Sequence, residues 1–592
     1  MMKFSYKVGL LFFICQLLNS ISLKAQEMMF EVPFDAQVAL SDVIVEGEVL
    51  AKESFWDDAH NTIYTVHTIK VYKVFKGETT NTIELVTPGG VIGLEAQVVS
   101  HSLQLQKGNL GVFMLKSNPK AITTQKEAIS NQASYTSTVG IQGFYKYALK
   151  NNSAVNTYSV IDNITGDFYS RIIGLTNREP ISMDALDLNA ETSKVTSTSK
   201  TAGTATITSF SATSASAGTK SILTITGNGF GETKGTIGFS DANYGGYLHT
   251  NALDNQVKSW TDSKIEVEIP DRAGTGTFKV NTVLNGNLES ANDLTIDFAQ
   301  INLEYNGTAY QTQHINDNGT GGNTWTMNTD FYNSDAKDAF ARAFESWTCG
   351  SGINWELANT TTTINKKDLY DGVNVVTFSE TMGSGMLGQC YSRYEGCYDG
   401  GEIKWYVTEM DIVFNANKNW NFSTAPPAND QIDFETVTVH ELGHGHQLGH
   451  VVNTNEVMHY SISSGASLRT LSSQDLAGAM DIQTRSSTTT ICGQLSMTQS
   501  ACMQLGVDDA KIDKDVTMYP NPAKHTVYIR NKASINITNV SIVNIQGSLL
   551  FSSRIKDTNP VLSFDVSNLA PGVYMVKIDS AFGSGVKKLM VQ

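Results

Sequence analysis

The chain has 592 residues, 41% hydrophobic and only 17% charged, and at roughly 150 residues per domain this predicts about four domains, not one compact fold. The charged share lies below the usual figure of about 25%, so Ser, Thr, Asn, Gln and Gly must supply most of the polar surface. With 42 Lys+Arg against 58 Asp+Glu the formal charge is −16, a field that repels phosphate backbones and anionic lipid and excludes nucleic-acid binding as a leading function.

In residues 1–25, Lys3 and Lys7 precede an apolar run over 8–18, and the small Ala25 stands before Gln26. This pattern predicts a secretory signal peptide whose apolar core is too short to span a bilayer, and no later window is apolar enough to be a transmembrane segment. Removal of the signal takes Cys15 with it and leaves Cys349, Cys390, Cys397, Cys492 and Cys502 in a compartment that permits disulfides. The shortest closures are Cys390 with Cys397 and Cys492 with Cys502, which would leave Cys349 as the odd thiol; spacing alone does not settle the pairing.

Residues 27–190 show period-two alternation, as in 43–49 and 69–75, with Lys76-Gly77-Glu78 as a turn, and predict an antiparallel β module. The stretch is similar to a β module found at the front of secreted bacterial proteins. Its His60, His67 and His101 are scattered singly and are read as core or surface residues. Between Thr192 and Ser214, 14 of 23 residues are Ser or Thr, a linker composition placed at 191–203. Residues 204–297 follow, with a strand over 221–226 entering a Gly227-Asn228-Gly229-Phe230 turn and another over 264–269. No helix follows the Gly-x-Gly turn, which argues against a phosphate loop and for a β-sandwich. This run resembles the immunoglobulin-like IPT/TIG domain of plexins and some transcription factors.

From 299 to 490 the pattern turns α+β. Ser334 can cap a helix whose apolar positions Ala339, Phe340, Ala343, Phe344 and Trp347 recur at three and four, with Asp335 in its first turn. Strand-like runs over 373–378 and 410–414 flank a Gly- and Tyr-rich loop holding Cys390 and Cys397, and helices are predicted over 433–446 and 472–482. Residues 515–592, from Tyr519-Pro520-Asn521-Pro522 through Gly572-Val573-Tyr574 to the basic Lys587-Lys588, read as a small β-sandwich. They resemble the C-terminal sorting domain of the type IX secretion system, which implies export through the outer membrane of a Gram-negative bacterium, with that machinery as a partner and release or surface attachment as the outcome.

The chemistry lies in His440-Glu441-Leu442-Gly443-His444. Two imidazoles four residues apart share one helix face one turn apart, the separation two ligands of one zinc need. Glu441 beside them can take a proton from a water on the metal, and His450, if the chain reverses after the helix, supplies a third nitrogen and leaves a fourth position open. With Met458 in Asn455-Glu456-Val457-Met458-His459-Tyr460, these residues resemble the metzincin zinc-protease signature. The flanking 437–439, 410–414 and 471–478 look like the matrixin branch, and Met-His-Tyr looks like astacins and serralysins.

The resemblance implies a multidomain protein in which an α+β metzincin-like domain is flanked by all-β modules. It implies a secreted zinc endopeptidase acting on protein or peptide substrates, with zinc on His440, His444 and His450 and Glu441 as general base. Met458 would form the floor of the site, and Tyr460 would bind zinc or stabilise the oxyanion. One position departs from the family pattern: Gln447 stands where Gly is expected in a positive-φ turn, at a cost of about 1 kcal/mol. Matrixins are held latent by a propeptide Cys on zinc; no Cys lies between the signal and Cys349, so latency here must use another group or steric cover. Among competing ligands, His446 points about 200° from His444 and is expected to face solvent or lie beside the site. Glu456 and His459 rank below His450, and Asp399 and Asp411 have the oxygen chemistry for a structural calcium. The alternative function is a surface adhesin or matrix-binding protein carrying a degenerate protease-like domain, with Gln447 the feature in its favour.

Overall fold

The computed structural model describes residues 31–118, 133–191, 205–283, 286–365, 370–462, 464–500, 516–531, 537–544, 549–555, 561–580 and 583–592. The signal peptide, linker residues 192–203 and Cys502 lie outside them. The chain divides into two compact units, Met1–Gln499 and Ser500–Gln592, and among the described residues no helix is long and apolar enough to cross a membrane.

The first unit opens with a short helix, Phe34–Leu40, absent from the all-β expectation, and continues with the alternating runs seen in the sequence. Strand β1 (Val43–Trp56) pairs antiparallel with β2 (Ile63–Lys76), setting Val45 opposite Val74 and Val49 opposite Ile69. Alternation sends Val43, Val45, Val49, Ile69, Val71 and Val74 to one buried face and Ile44, Phe75 and Val112 to another, under the helix Tyr169–Thr176. β1 also pairs with Leu110–Ser117, so the sheet closes on itself through Thr82–Pro88 and Ser134–Ser137. Two short strands, β3 (Gly90–Ile92) and β4 (Glu95–Val99), pair with each other and join a different sheet.

Two four-stranded sheets follow. One contains Ile222–Asn228 and Lys264–Glu268, the other Thr236–Asp241 and Ala273–Thr282. Leu223, Ile225, Ile265 and Val267 from the first face and Ile237, Phe239, Phe278 and Val280 from the second are all buried in a shared core, as a β-sandwich requires.

The third part is built on strands β5 (Asn323–Met327), β6 (Trp355–Leu357), β7 (Asn374–Ser379), β8 (Gly388–Asp399) and β9 (Glu402–Asn415). The order across the sheet is β6-β5-β7-β9-β8-β4-β3; β5, β6, β7 and β9 run parallel and β8 returns antiparallel to β9. Helices α1 (Ala336–Ser351) and α2 (Phe434–Gly445) pack together, the Trp347 indole N–H donating to the Val439 carbonyl at 2.7 Å. A third, α3 (Ser473–Thr488), follows. All five apolar positions predicted for α1 are buried. The cap differs from expectation by one residue: Asp335 occupies the N-cap without a side-chain bond, and the Ser334 hydroxyl accepts from the Ala336 N–H at 3.3 Å.

Two sequence expectations are corrected here. The Gly- and Tyr-rich stretch around Cys390 and Cys397 is a twelve-residue strand, β8, not a loop; Tyr is strand-favouring, and the glycine content hid the alternation. The short disulfide closures fail for the same reason. Seven residues along one strand separate Cys390 from Cys397 by about 23 Å, far beyond bridging reach. Cys397 pairs instead with Cys492, Cα atoms 5.7 Å apart. Cys349 is disulfide-bonded as well, and the free, buried thiol is Cys390.

Among its described residues the second unit is all β: Val516–Tyr519, Thr526–Asn531 and Val561–Asp565 form one sheet. Ile537–Asn544, Leu549–Arg554, Gly572–Ser580 and Gly583–Val591 form the other. Val527, Ile529, Val540, Val576, Ile578 and Leu589 are buried in its core.

Candidate metal centre

Helix α2 is buried along its whole length. Its start is fixed by Asp433, which accepts from the Thr436 N–H at 3.1 Å and receives Arg469 Nε at 2.8 Å, so Arg469 is held against the helix start. One turn apart, the His440 and His444 rings lie 4.6 Å apart and almost perpendicular. Gln447 then takes φ +76°, the left-handed conformation the family pattern reserves for glycine there, and the chain reverses. The reversal returns His450, whose Nε2 lies 3.1 Å from His444 Nε2.

Each of these imidazoles is oriented through its other nitrogen. Nδ1 lies 2.8 Å from the Val457 carbonyl in His440, 2.9 Å from the Leu448 carbonyl in His444, and 2.9 Å from Asn243 Oδ1 in His450. With Nδ1–H donating, each Nε2 keeps its lone pair, the tautomer a metal ligand needs. Burial pushes the His444 imidazole down to about 4 and those of His440 and His450 well below their usual range, so all three are neutral donors. His440 Nε2 is buried with no hydrogen-bond partner. Convergent and neutral, with one ring nitrogen orphaned, this donor set fits zinc.

The residue beneath is placed by backbone. Met458 is buried against Gly443, where any Cβ would collide with its sulfur, and its N–H and that of Val457 donate to the Asp475 carboxylate at 3.3 and 3.1 Å. Glu441 is fully buried, and burial pushes its carboxyl up to about 8. A Cβ on Gly388 would come within 2.8 Å of Glu441 Cγ, so glycine there makes room for it. The Tyr460 ring lies 4.5 Å from that of His459, tilted by 51°, and its hydroxyl lies 2.5 Å from where a Gly245 Cβ would be, against the sandwich.

Three residues that sequence reasoning missed complete the site. His101, read as a core or surface residue, joins His440, His444 and His450 in a group whose ligand atoms all lie within 4.8 Å of one another. Ser100 donates its hydroxyl to Glu441 Oε2 at 3.0 Å, and Asn243 orients His450. Nothing local in the sequence marks them: strand pairing across almost 300 residues brings in Ser100 and His101, and Asn243 reaches His450 from a turn of the sandwich. His67 does have a core role, 3.0 Å from the Thr87 hydroxyl.

Other expectations are corrected. His446 does not face solvent: it is fully buried, 2.9 Å from the Ser351 hydroxyl and packed on Trp347 and Trp355, because the apolar layer under α2 continues past its C-terminus. The calcium reading is not supported. Asp411 receives the Val375 N–H and Arg393, and Asp399 receives the Cys492 N–H at 2.9 Å. Glu456 is engaged by Ser472 and Asn453.

A helix carrying two convergent imidazoles, a third returned by a tight turn, and a buried glutamate form a candidate metal centre. Comparison with known proteins agrees: residues 323–483 match the Matrixin family, 205–298 the IPT/TIG domain, and 517–592 the Secretion system C-terminal sorting domain. Metalloendoproteinase 1 of Glycine max is 29% identical over 144 residues, 24% of this chain; the match spans 43% of that relative's length. A solved Biofilm associated protein, BSP domain, aligns over 93% of this chain and 80% of its own at 8% identity and TM-score 0.16, too low to define a shared fold. The matches support a metalloprotease, and the sorting domain marks the chain for type IX export through the outer membrane to the cell surface or extracellular space.

Proposed function

We propose that the chain is an exported zinc-dependent endopeptidase of metzincin type that hydrolyses peptide bonds in protein substrates. The observation that carries this reading is the convergence of three neutral imidazoles, each held through Nδ1, beside a buried glutamate. His440, His444 and His450 would hold zinc, which when bound polarises a carbonyl and makes water acidic near neutral pH. Glu441 would accept a proton from the attacking water and return it to the leaving amine. Met458 supports the floor through its contact at Gly443 and does no chemistry. Tyr460 would donate its hydroxyl to the tetrahedral oxyanion after turning from Gly245.

The adhesin alternative rested on Gln447 as a sign of degeneration. Gln447 takes the required left-handed turn, so that feature no longer favours it. Metal analysis and casein cleavage on the exported protein test the proposal. Glu441→Gln is expected to keep one zinc per chain and lose at least about a hundredfold in rate, whereas His444→Ala loses the metal. Unchanged cleavage by Glu441→Gln would sink the assignment.

A further inference from the structure

In the order β6-β5-β7-β9-β8-β4-β3, the last two strands come from the N-terminal region. Without them β8 would be an open edge beside the metal centre. β4 lies antiparallel along it, Val99 opposite Tyr391 and Glu95 opposite Glu395. Main-chain bonds continue past both ends, Gly396 N–H to the Leu94 carbonyl at 2.7 Å and Ser100 N–H to the Cys390 carbonyl at 2.9 Å. This is how an extended peptide docks on a sheet edge.

The strand delivers two side chains to the chemistry. Ser100 Oγ donates to Glu441 Oε2 at 3.0 Å and accepts the Cys390 N–H at 2.9 Å, so one oxygen of the carboxylate is occupied by the segment. His101 takes φ +60°, a conformation costing a non-glycine residue on the order of 1 kcal/mol. Its ring is buried with centroids 5.1, 5.6 and 5.7 Å from those of His450, His444 and His440, and its Nε2 has no hydrogen-bond partner. A buried polar atom aimed into a metal site and held there by a strained backbone calls for a ligand.

We propose that residues 95–101 are a built-in inhibitor: β4 fills the substrate edge of β8 and His101 supplies the fourth ligand of the zinc, making the chain latent until this segment leaves. The inference rests on the zinc-protease reading. Three protein ligands leave zinc open for catalysis, and four close it as in structural sites. A histidine thus serves where a propeptide cysteine is absent, and the N-terminal β module acts as the carrier of the inhibitor.

The test uses the full mature chain loaded with cobalt in place of zinc, as wild type, His101→Ala and His101→Cys. His101→Ala is expected to alter the visible cobalt spectrum and raise peptide hydrolysis at least tenfold. His101→Cys should restore latency and add a sulfur-to-cobalt charge-transfer band, which only a residue 101 on the metal can give. That band decides the matter even if His101→Ala does not fold. Metal bound one to one with no thiolate band, and equal hydrolysis by wild type and His101→Ala, overturns the inhibitor while leaving the protease intact. A wild-type chain that binds no metal overturns both.

Discussion

At the scale of single residues, Gln447 shows how a chain meets a backbone demand with an unusual side chain. Its φ of +76° carries the Cβ penalty of about 1 kcal/mol, but the amide is not idle. Gln447 Oε1 accepts from the Tyr394 hydroxyl at 2.7 Å and from Thr312 at 3.2 Å, and its Nε2 donates to the Gly445 carbonyl at 3.0 Å. Buried bonds of this kind contribute about 1 kcal/mol each, more in sum than the strain. Gln447→Gly and Gln447→Ala both lose them, but only alanine keeps the penalty. Denaturant unfolding is therefore expected to rank wild type above glycine and glycine above alanine, the last two separated by about 1 kcal/mol. An alanine variant as stable as the glycine one would mean that the left-handed turn relaxes.

At the scale of elements, α3 shapes the site although none of its residues belongs to the histidine cluster. Asp475 completes the capping box with Ser472, receiving that N–H at 2.9 Å, and also receives the N–H groups of Val457 and Met458. The Val457 carbonyl in turn orients His440. Asp475→Ala leaves two buried N–H groups unpaired and is expected to cost about 2–4 kcal/mol and to weaken zinc binding about 10–100-fold; calorimetry and metal titration read the two effects separately. Ser472 at the start of that helix, His440 and His444 at i, i+4, and the apolar spacing of α1 were legible because they are local. Strand β8 was not, since Gly and Tyr mimic loop composition. His101, Ser100 and Asn243 could not be, because their roles depend on which strands pair across the fold. His101 stood in plain view as an isolated histidine, and only β4 lying beside β8 gives it neighbours.

At the scale of the whole molecule, the metal centre joins stretches of chain far apart in sequence: His101 from the N-terminal module, Asn243 from the sandwich behind His450, and α2 with its return turn. A zinc held there binds the folded arrangement and not the unfolded chain, so its binding energy adds to stability by mass action, about 4 kcal/mol at a thousandfold excess over Kd. The second compact unit, Ser500–Gln592, shows no such cluster among the described residues. Scanning calorimetry of the full chain is therefore expected to resolve separate transitions, of which chelation lowers only that of Met1–Gln499, by several degrees. His101→Ala should shrink that zinc-dependent increment, because three ligands replace four, and leave the other transition in place. Equal shifts in both transitions would place the metal outside the histidine cluster. No shift in either would deny that zinc ties the N-terminal module to α2.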